Sequence, residues 1–177
     1  MSSTSGLHGK KAIVIGGSIG GLITARALRN HFEEVIILEK DKVNNEPESR
    51  KGQPHTKHLH GLLPAGLNVM MYYFPDLLQL LKDNDANVVD LADSMHWYTH
   101  GGYRKSFTIG LTGTTVSRPL LEHIVRQKVL GTAGITMIDQ ASVKQLLTSK
   151  DQKRVTGVVV EQKNNAADKL RKSDGSA

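Results

Sequence analysis

The chain has 177 residues, 38% apolar and 23% charged, which suits one soluble globular domain with a sizeable core and is short for two. It has no cysteine, which excludes disulfides and thiolate chemistry, and no apolar run approaches the ~18 residues that a membrane-spanning helix needs. The net charge is +6, but the cations are scattered (Lys10–Lys11, Arg50–Lys51, Lys169 to Lys172) and aromatics are only 5%, so a nucleic-acid partner is not expected.

Residues 1–9 are polar, lack the apolar stretch of a secretory signal, and read as a disordered arm. With no transmembrane segment and no cysteine, a cytoplasmic location is the expectation. Lys11 to Ile15 (KAIVI) is a short β-branched run suited to a buried strand. Gly16 to Gly21 is a glycine-rich turn. Ile19 to Phe32 carries helix formers, with Ile19, Leu22, Ile23 and Leu28 as its apolar stripe. Glu34 to Glu39 (EVIILE) is a second buried strand, which completes a βαβ unit. Asp41 to His58 is polar and broken by Pro47, Gly52 and Pro54, as in a loop.

From Leu59 the spacing of Leu59, Leu62, Leu63, Leu67, Met70, Met71 and Phe74 predicts a helix. Pro75 interrupts it, and Leu77, Leu78 and Leu81 extend the apolar face. Residues 88–116 mix β-branched, aromatic and glycine residues and predict short antiparallel strands. Ser117-Arg118-Pro119 opens a further helix with Leu120, Leu121, Ile124, Val125 and Val129 as its stripe and Gly131 or Gly134 as its stop. Ile135 to Ile138, Ser142 to Leu147 and Arg154 to Glu161 read as strands. Gln162 to Ala177 is a polar tail without a core face. No internal repeat is visible.

Four groups of residues carry candidate chemistry. In Gly16-Gly17-Ser18-Ile19-Gly20-Gly21, a serine stands where a strict GxGxxG has its second glycine. Gly16 permits the tight turn, Gly17 and the small Ser18 allow a pyrophosphate to approach, and Gly21 allows close helix–sheet packing. The helix N-terminus would offer N–H groups and a positive dipole end to the phosphates. The pattern follows a strand and opens a helix, which is the context it needs. Glu39 ends the second strand, 18 residues after Gly21, where an acid accepts hydrogen bonds from ribose hydroxyls and repels a 2′-phosphate; Lys40 follows it. Arg50 to His60 (RKGQPHTKHLH) is dense in donors just before a helix. It suits a loop over a cofactor, or simply a solvated loop, and its three histidines without cysteine do not make a metal site. Arg118, at a helix start, offers a fork of donors to a phosphate or a flavin edge, although local sequence alone favours a surface arginine.

These residues resemble the FAD-dependent monooxygenase superfamily of the p-hydroxybenzoate hydroxylase type, and most closely its 2-polyprenyl-6-methoxyphenol-hydroxylase-like branch. Three segments carry the resemblance in order: GGSIGGL with ARAL behind it and ILEKD after it; RKGQPHTKHLHGLLPAG; and GLTGTTVSRPLLEHIVRQKV. It runs from about Lys10 to about Val160. The fold class it implies is α/β, a Rossmann-type FAD-binding domain over residues 10–161, with part of an antiparallel substrate-side sheet inserted at about 88–116 and a polar tail at 162–177.

The resemblance assigns Gly16, Ser18 and Gly21 to the FAD pyrophosphate, with Gly17, Ile19 and Gly20 completing the turn, and Glu39 to the adenosine ribose beside Lys40. It places Arg50, His58 and His60 on the flavin side, Arg118 at the ribityl–pyrophosphate region, and the backbone of Val143 against adenine. The chain reads Pro54-His55 where relatives often have Pro-Gln. Relatives are commonly more than twice as long, which implies an incomplete chain that stops inside a polar hairpin.

The function implied is NAD(P)H- and O2-dependent hydroxylation or epoxidation of a small organic substrate, with FAD as cofactor. Two other readings stand beside it: a flavin-dependent reductase or dehydrogenase on the same fold, and a non-catalytic nucleotide-binding fragment.

Overall fold

The computed structural model describes residues 7–49, 56, 58, 60–162 and 165–171. They fall into two units, one made of residues 1–46 and 125–177, the other of residues 47–124.

In the first unit, KAIVI forms β1 (Gly9–Ile15), followed by α1 (Ile19–Leu28) and β2 (Phe32–Leu38). β1 and β2 pair in parallel, with Val14 opposite Ile37 and Ile13 opposite Ile36. The period-two alternation of strand side chains sends these pairs to opposite faces. Val14 lies on the α1 side, where it is the apolar neighbour of Gly21. Ile36 and Leu38 enter a core on the other side with Ala141, Val158 and Val160, flanked by Ile13, Ile138 and Val143. β8 (Ile135–Ile138) joins β2 in parallel, which gives the order β1-β2-β8. The apolar runs on β1 and β2 thus serve two covered faces, as parallel sheets require. β9 (Ala141–Thr148) and β10 (Val155–Gln162) supply the second cover, and β11 (Asn165–Arg171) extends their meander by pairing with β10.

In the second unit, β3 (Gly61–Leu62), β7 (Thr112–Thr115) and β4 (Asn87–Asp90) form an antiparallel sheet in that order. α2 (Pro64–Tyr73) and α3 (Leu77–Asp83) bury Leu67, Met70, Leu77 and Leu81. A two-strand hairpin, β5 (Tyr98–Thr99) with β6 (Gly102–Tyr103), stands between β4 and β7. α4 (Arg118–Leu130) carries residues of both units and buries Leu121, Ile124, Val125 and Val129.

The elements differ from the sequence expectation at three places. The first helix stops at Leu28, not Phe32, because Phe32 already pairs with Gly9 in the sheet. The helix expected from Leu59 starts at Pro64: Gly61 and Leu62 are drawn into β3 by Thr115 and Thr114, and the proline, which lacks an N–H, is best placed in a first turn. Leu59 lies outside the described residues. The polar tail contains a strand, since β11 satisfies the outer edge of β10 through its backbone, which requires no apolar face. β3, α2 and α3 lie in the same unit as residues 88–116.

Candidate nucleotide site

The glycine turn leaves β1 at Gly16, whose φ of +100° is a conformation that L side chains rarely adopt. Its N–H donates to the Leu38 carbonyl at 2.8 Å, which ties the turn to the end of β2. Gly21 sits in the first turn of α1, and a Cβ there would collide with the Gly16 carbonyl oxygen. Ser18 is the N-cap in extended conformation, and its hydroxyl makes no capping hydrogen bond. The first intrahelical bond runs from the Leu22 N–H to the Ser18 carbonyl at 2.9 Å. The N–H groups of Ile19, Gly20 and Gly21 therefore precede the helical ladder, at the positive end of the dipole. Gly20 is exposed, with open space where a side chain would stand. No acidic residue lies in that first turn.

Glu39 is only 5% exposed. One carboxylate oxygen accepts the Gly17 N–H at 2.7 Å and the other accepts the Asp41 N–H at 2.9 Å. Its own backbone joins the neighbouring strands, with the N–H on the Ile138 carbonyl at 2.9 Å and the carbonyl on the Ala141 N–H at 2.8 Å. The carboxylate thus fastens the glycine turn to the loop after β2. The Gly17 N–H is thereby directed at Glu39. A carboxylate oxygen can accept more than one hydrogen bond, so holding the turn does not exclude accepting ribose hydroxyls.

Val143 lies in β9 opposite Val160, beside a register shift, and its side chain packs against the Ile36–Leu38 core. Lys40 is exposed. Arg50 and the adjoining residues 51–55 lie outside the described residues. His60 Nδ1 approaches the His58 carbonyl at 2.7 Å; a carbonyl only accepts, so that nitrogen carries the proton. Val116 N–H donates to the His60 carbonyl at 3.2 Å, which anchors this part of the loop to the end of β7. Among the described residues, no group of three potential metal ligands gathers.

Arg118 begins α4, with its Nε 3.9 Å from a Glu122 carboxylate oxygen. Glu122 is 1% exposed, and Arg126, one turn further, is 8% exposed. The sequence reading passed over Glu122 because it sits inside the apolar stripe. The signal was the Arg118-Glu122-Arg126 spacing, which stacks opposite charges along one helix face.

The structure therefore brings Gly16–Gly21 and Glu39 into one constellation in the first unit. His58, His60 and Arg118 belong to the second unit, each held by local partners.

No family model matches the chain. It is 30% identical over 168 residues to Protein Rv3254 of Mycobacterium tuberculosis, a match that covers 90% of this chain and 34% of that protein. Among solved structures, it is similar to PqsL, a probable FAD-dependent monooxygenase from Pseudomonas aeruginosa. The TM-score is 0.64 at 17% identity, over 90% of this chain and 40% of PqsL. It is also similar to 2-methyl-3-hydroxypyridine-5-carboxylic acid oxygenase (TM-score 0.55, 17% identity, 91% of this chain and 37% of that one). A flavoprotein/dehydrogenase from Cytophaga hutchinsonii gives a TM-score of 0.56 at 14% identity, with the same coverage. The chain spans between a third and two fifths of the length of these relatives. Over nine tenths of its length, the chain shares the fold of part of PqsL.

Proposed function

We propose that the chain binds FAD and contributes the nucleotide-binding part of an oxidoreductase of the monooxygenase type, acting on a small organic substrate. The observation that carries the reading is the Gly16–Gly21 turn with Glu39. A positive-φ glycine, a helix N-terminus with open space beside Gly20, and a buried acid at the end of β2 fit the ADP half of a dinucleotide. The N–H groups of Ile19 to Gly21 would meet the pyrophosphate, and Glu39 would meet the adenosine ribose. The backbone of Val143 would meet adenine. Lys40, Arg50, His58, His60 and Arg118 are assigned to FAD on the resemblance alone.

When bound, the flavin supplies the redox chemistry, with NAD(P)H as reductant and O2 as co-substrate. The chain's own residues bind it and orient it.

The test is FAD binding by the purified chain, followed by flavin fluorescence and the visible spectrum, with far-UV circular dichroism as the folding control. The wild-type chain is expected to bind. Gly16→Val, which places a β-branched side chain at φ +100°, and Glu39→Ala are expected to lose binding while the β-sheet signal persists. A folded wild-type chain that binds neither FAD nor ADP would sink the proposal.

A further inference from the structure

The direction of the Glu39 carboxylate is set from two sides. A Cβ on Gly17 would stand 3.2 Å from Glu39 Oε2 and 3.0 Å from Met137 Cε, so both side chains lie against the glycine turn. The other oxygen, Oε1, accepts the Asp41 N–H at 2.9 Å. Where that oxygen points therefore depends on where the Asp41 peptide stands.

The Asp41 peptide is placed by the link between β8 and β9, which consists of Asp139 and Gln140 alone. The Gln140 N–H donates to the Asp41 carbonyl at 3.3 Å, and Asp139 Oδ2 accepts the Val43 N–H at 2.8 Å. The Ala141 N–H donates to the Glu39 carbonyl at 2.8 Å. Residues 139, 140 and 141 thus meet residues 43, 41 and 39 in turn. Gln140 has a φ of +52°, a left-handed conformation that costs a non-glycine residue energy and persists where its neighbours over-determine it. The three hydrogen bonds do so.

Two of the three contacts join backbone to backbone and make no demand on side-chain identity. The third needs an acceptor on the side chain at 139. Asp139 and Val43 are both half-buried, so water is a poor substitute for that bond. Without it, the loop from Lys40 to Val43 is released at its far end, and the Asp41 N–H is free to drift from Glu39.

We propose that Asp139 is a positioning residue for the ribose end of the nucleotide site. It holds the Val43 N–H, which fixes the loop after β2, and through the Asp41 N–H it keeps the Glu39 carboxylate turned to accept the adenosine ribose hydroxyls. Asp139 itself does not touch the nucleotide. The inference rests on the reading of Gly16–Gly21 and Glu39 as an ADP-binding constellation.

The test compares ADP with 2′,3′-dideoxy-ADP, which keeps the adenine and both phosphates but lacks the hydroxyls that Glu39 accepts. Dissociation constants are measured by isothermal titration calorimetry on the purified wild-type chain, Asp139→Ala, Asp139→Asn and Asp139→Glu, with circular dichroism as the folding control. The wild-type chain is expected to bind ADP more tightly than the dideoxy analogue. Asp139→Ala is expected to weaken ADP by about tenfold, the worth of one well-made hydrogen bond to a charged group, and to leave the dideoxy analogue within about twofold. Asp139→Asn keeps an acceptor oxygen for the Val43 N–H and is expected to restore ADP binding. Asp139→Glu displaces the acceptor by one methylene and is expected to repeat the selective loss, so it carries the test if the alanine variant does not fold.

A purely structural role for Asp139 would weaken both ligands equally, and that result would overturn the proposal. So would unchanged ADP affinity in the folded Asp139→Ala chain, or an Asp139→Asn chain as weak as Asp139→Ala. These outcomes, in a wild-type chain that binds ADP and loses it on Glu39→Ala, overturn the role of Asp139 alone. A folded wild-type chain that does not bind ADP overturns the nucleotide reading and this inference with it.

Discussion

Glu39 shows how one side chain combines two readings. Its position after a β-branched strand marks it as a ribose acceptor, yet in the folded chain its carboxylate also holds the Gly17 and Asp41 N–H groups. Backbone donors of this kind are invisible in sequence, because they depend on which way a peptide plane faces. Gly21 is the opposite case. The glycine spacing marks it for close packing, and a Cβ there would indeed meet the Gly16 carbonyl. Gly21→Ala must therefore push the turn away from the helix. The expected cost is about 1–3 kcal/mol of stability, the usual range for overpacking, together with loss of FAD binding. Denaturant unfolding and FAD titration of the same variant check both parts. Unchanged stability would mean that the turn and helix are further apart than described.

Single elements were legible where one periodicity dominated and illegible where a partner strand decided the outcome. β8, α3 and the start of α4 follow from local pattern. Gly61 and Leu62 carry a helical spacing but extend because Thr114 and Thr115 offer them a ladder, and β11 forms because β10 has an edge to satisfy. The excursion between β4 and β7 depends on Asp90 in the same non-local way, because its carboxylate clamps the two ends together. Partial burial raises the Asp90 carboxyl, but the N–H groups of Ala92, Gly110, Ile109 and Asp93 outweigh it and hold the pKa below the usual carboxylate range. A group lowered in the folded state contributes stability above its unfolded pKa of about 3.9 and loses it as pH falls through the folded value. The base of the excursion is therefore expected to loosen in acid below about pH 4. Asp90→Asn, which exchanges an acceptor oxygen for a donor, loosens it at every pH. Amide hydrogen exchange at Ile109 and Gly110 measures this; equal protection at these amides in the variant and the wild-type chain would reject the clamp.

Across the molecule, each unit has its own fully buried anchor. Leu22 of α1 and Leu77 of α3 are both 0% exposed. Truncating either to alanine costs about 2–5 kcal/mol, and each substitution acts on the core that contains it. Leu77→Ala is expected to lower the midpoint of the Trp97 fluorescence transition. Leu22→Ala is expected to lower the temperature at which bound FAD is released. The two readouts responding in the reverse order would contradict this partition.

The βαβ unit, its glycine turn and the acid after β2 were readable from residues alone. Short-range periodicity and glycine conformational freedom are local properties that the chain carries wherever it folds. The coupling of Glu39 to Gly17, the recruitment of Gly61–Leu62 and Asn165–Arg171 into sheets and the Asp90 clamp all involve partners distant in sequence that no local pattern reveals. They followed only from the packed fold, because hydrogen-bond direction and burial are set by neighbours, not by the residue's own identity.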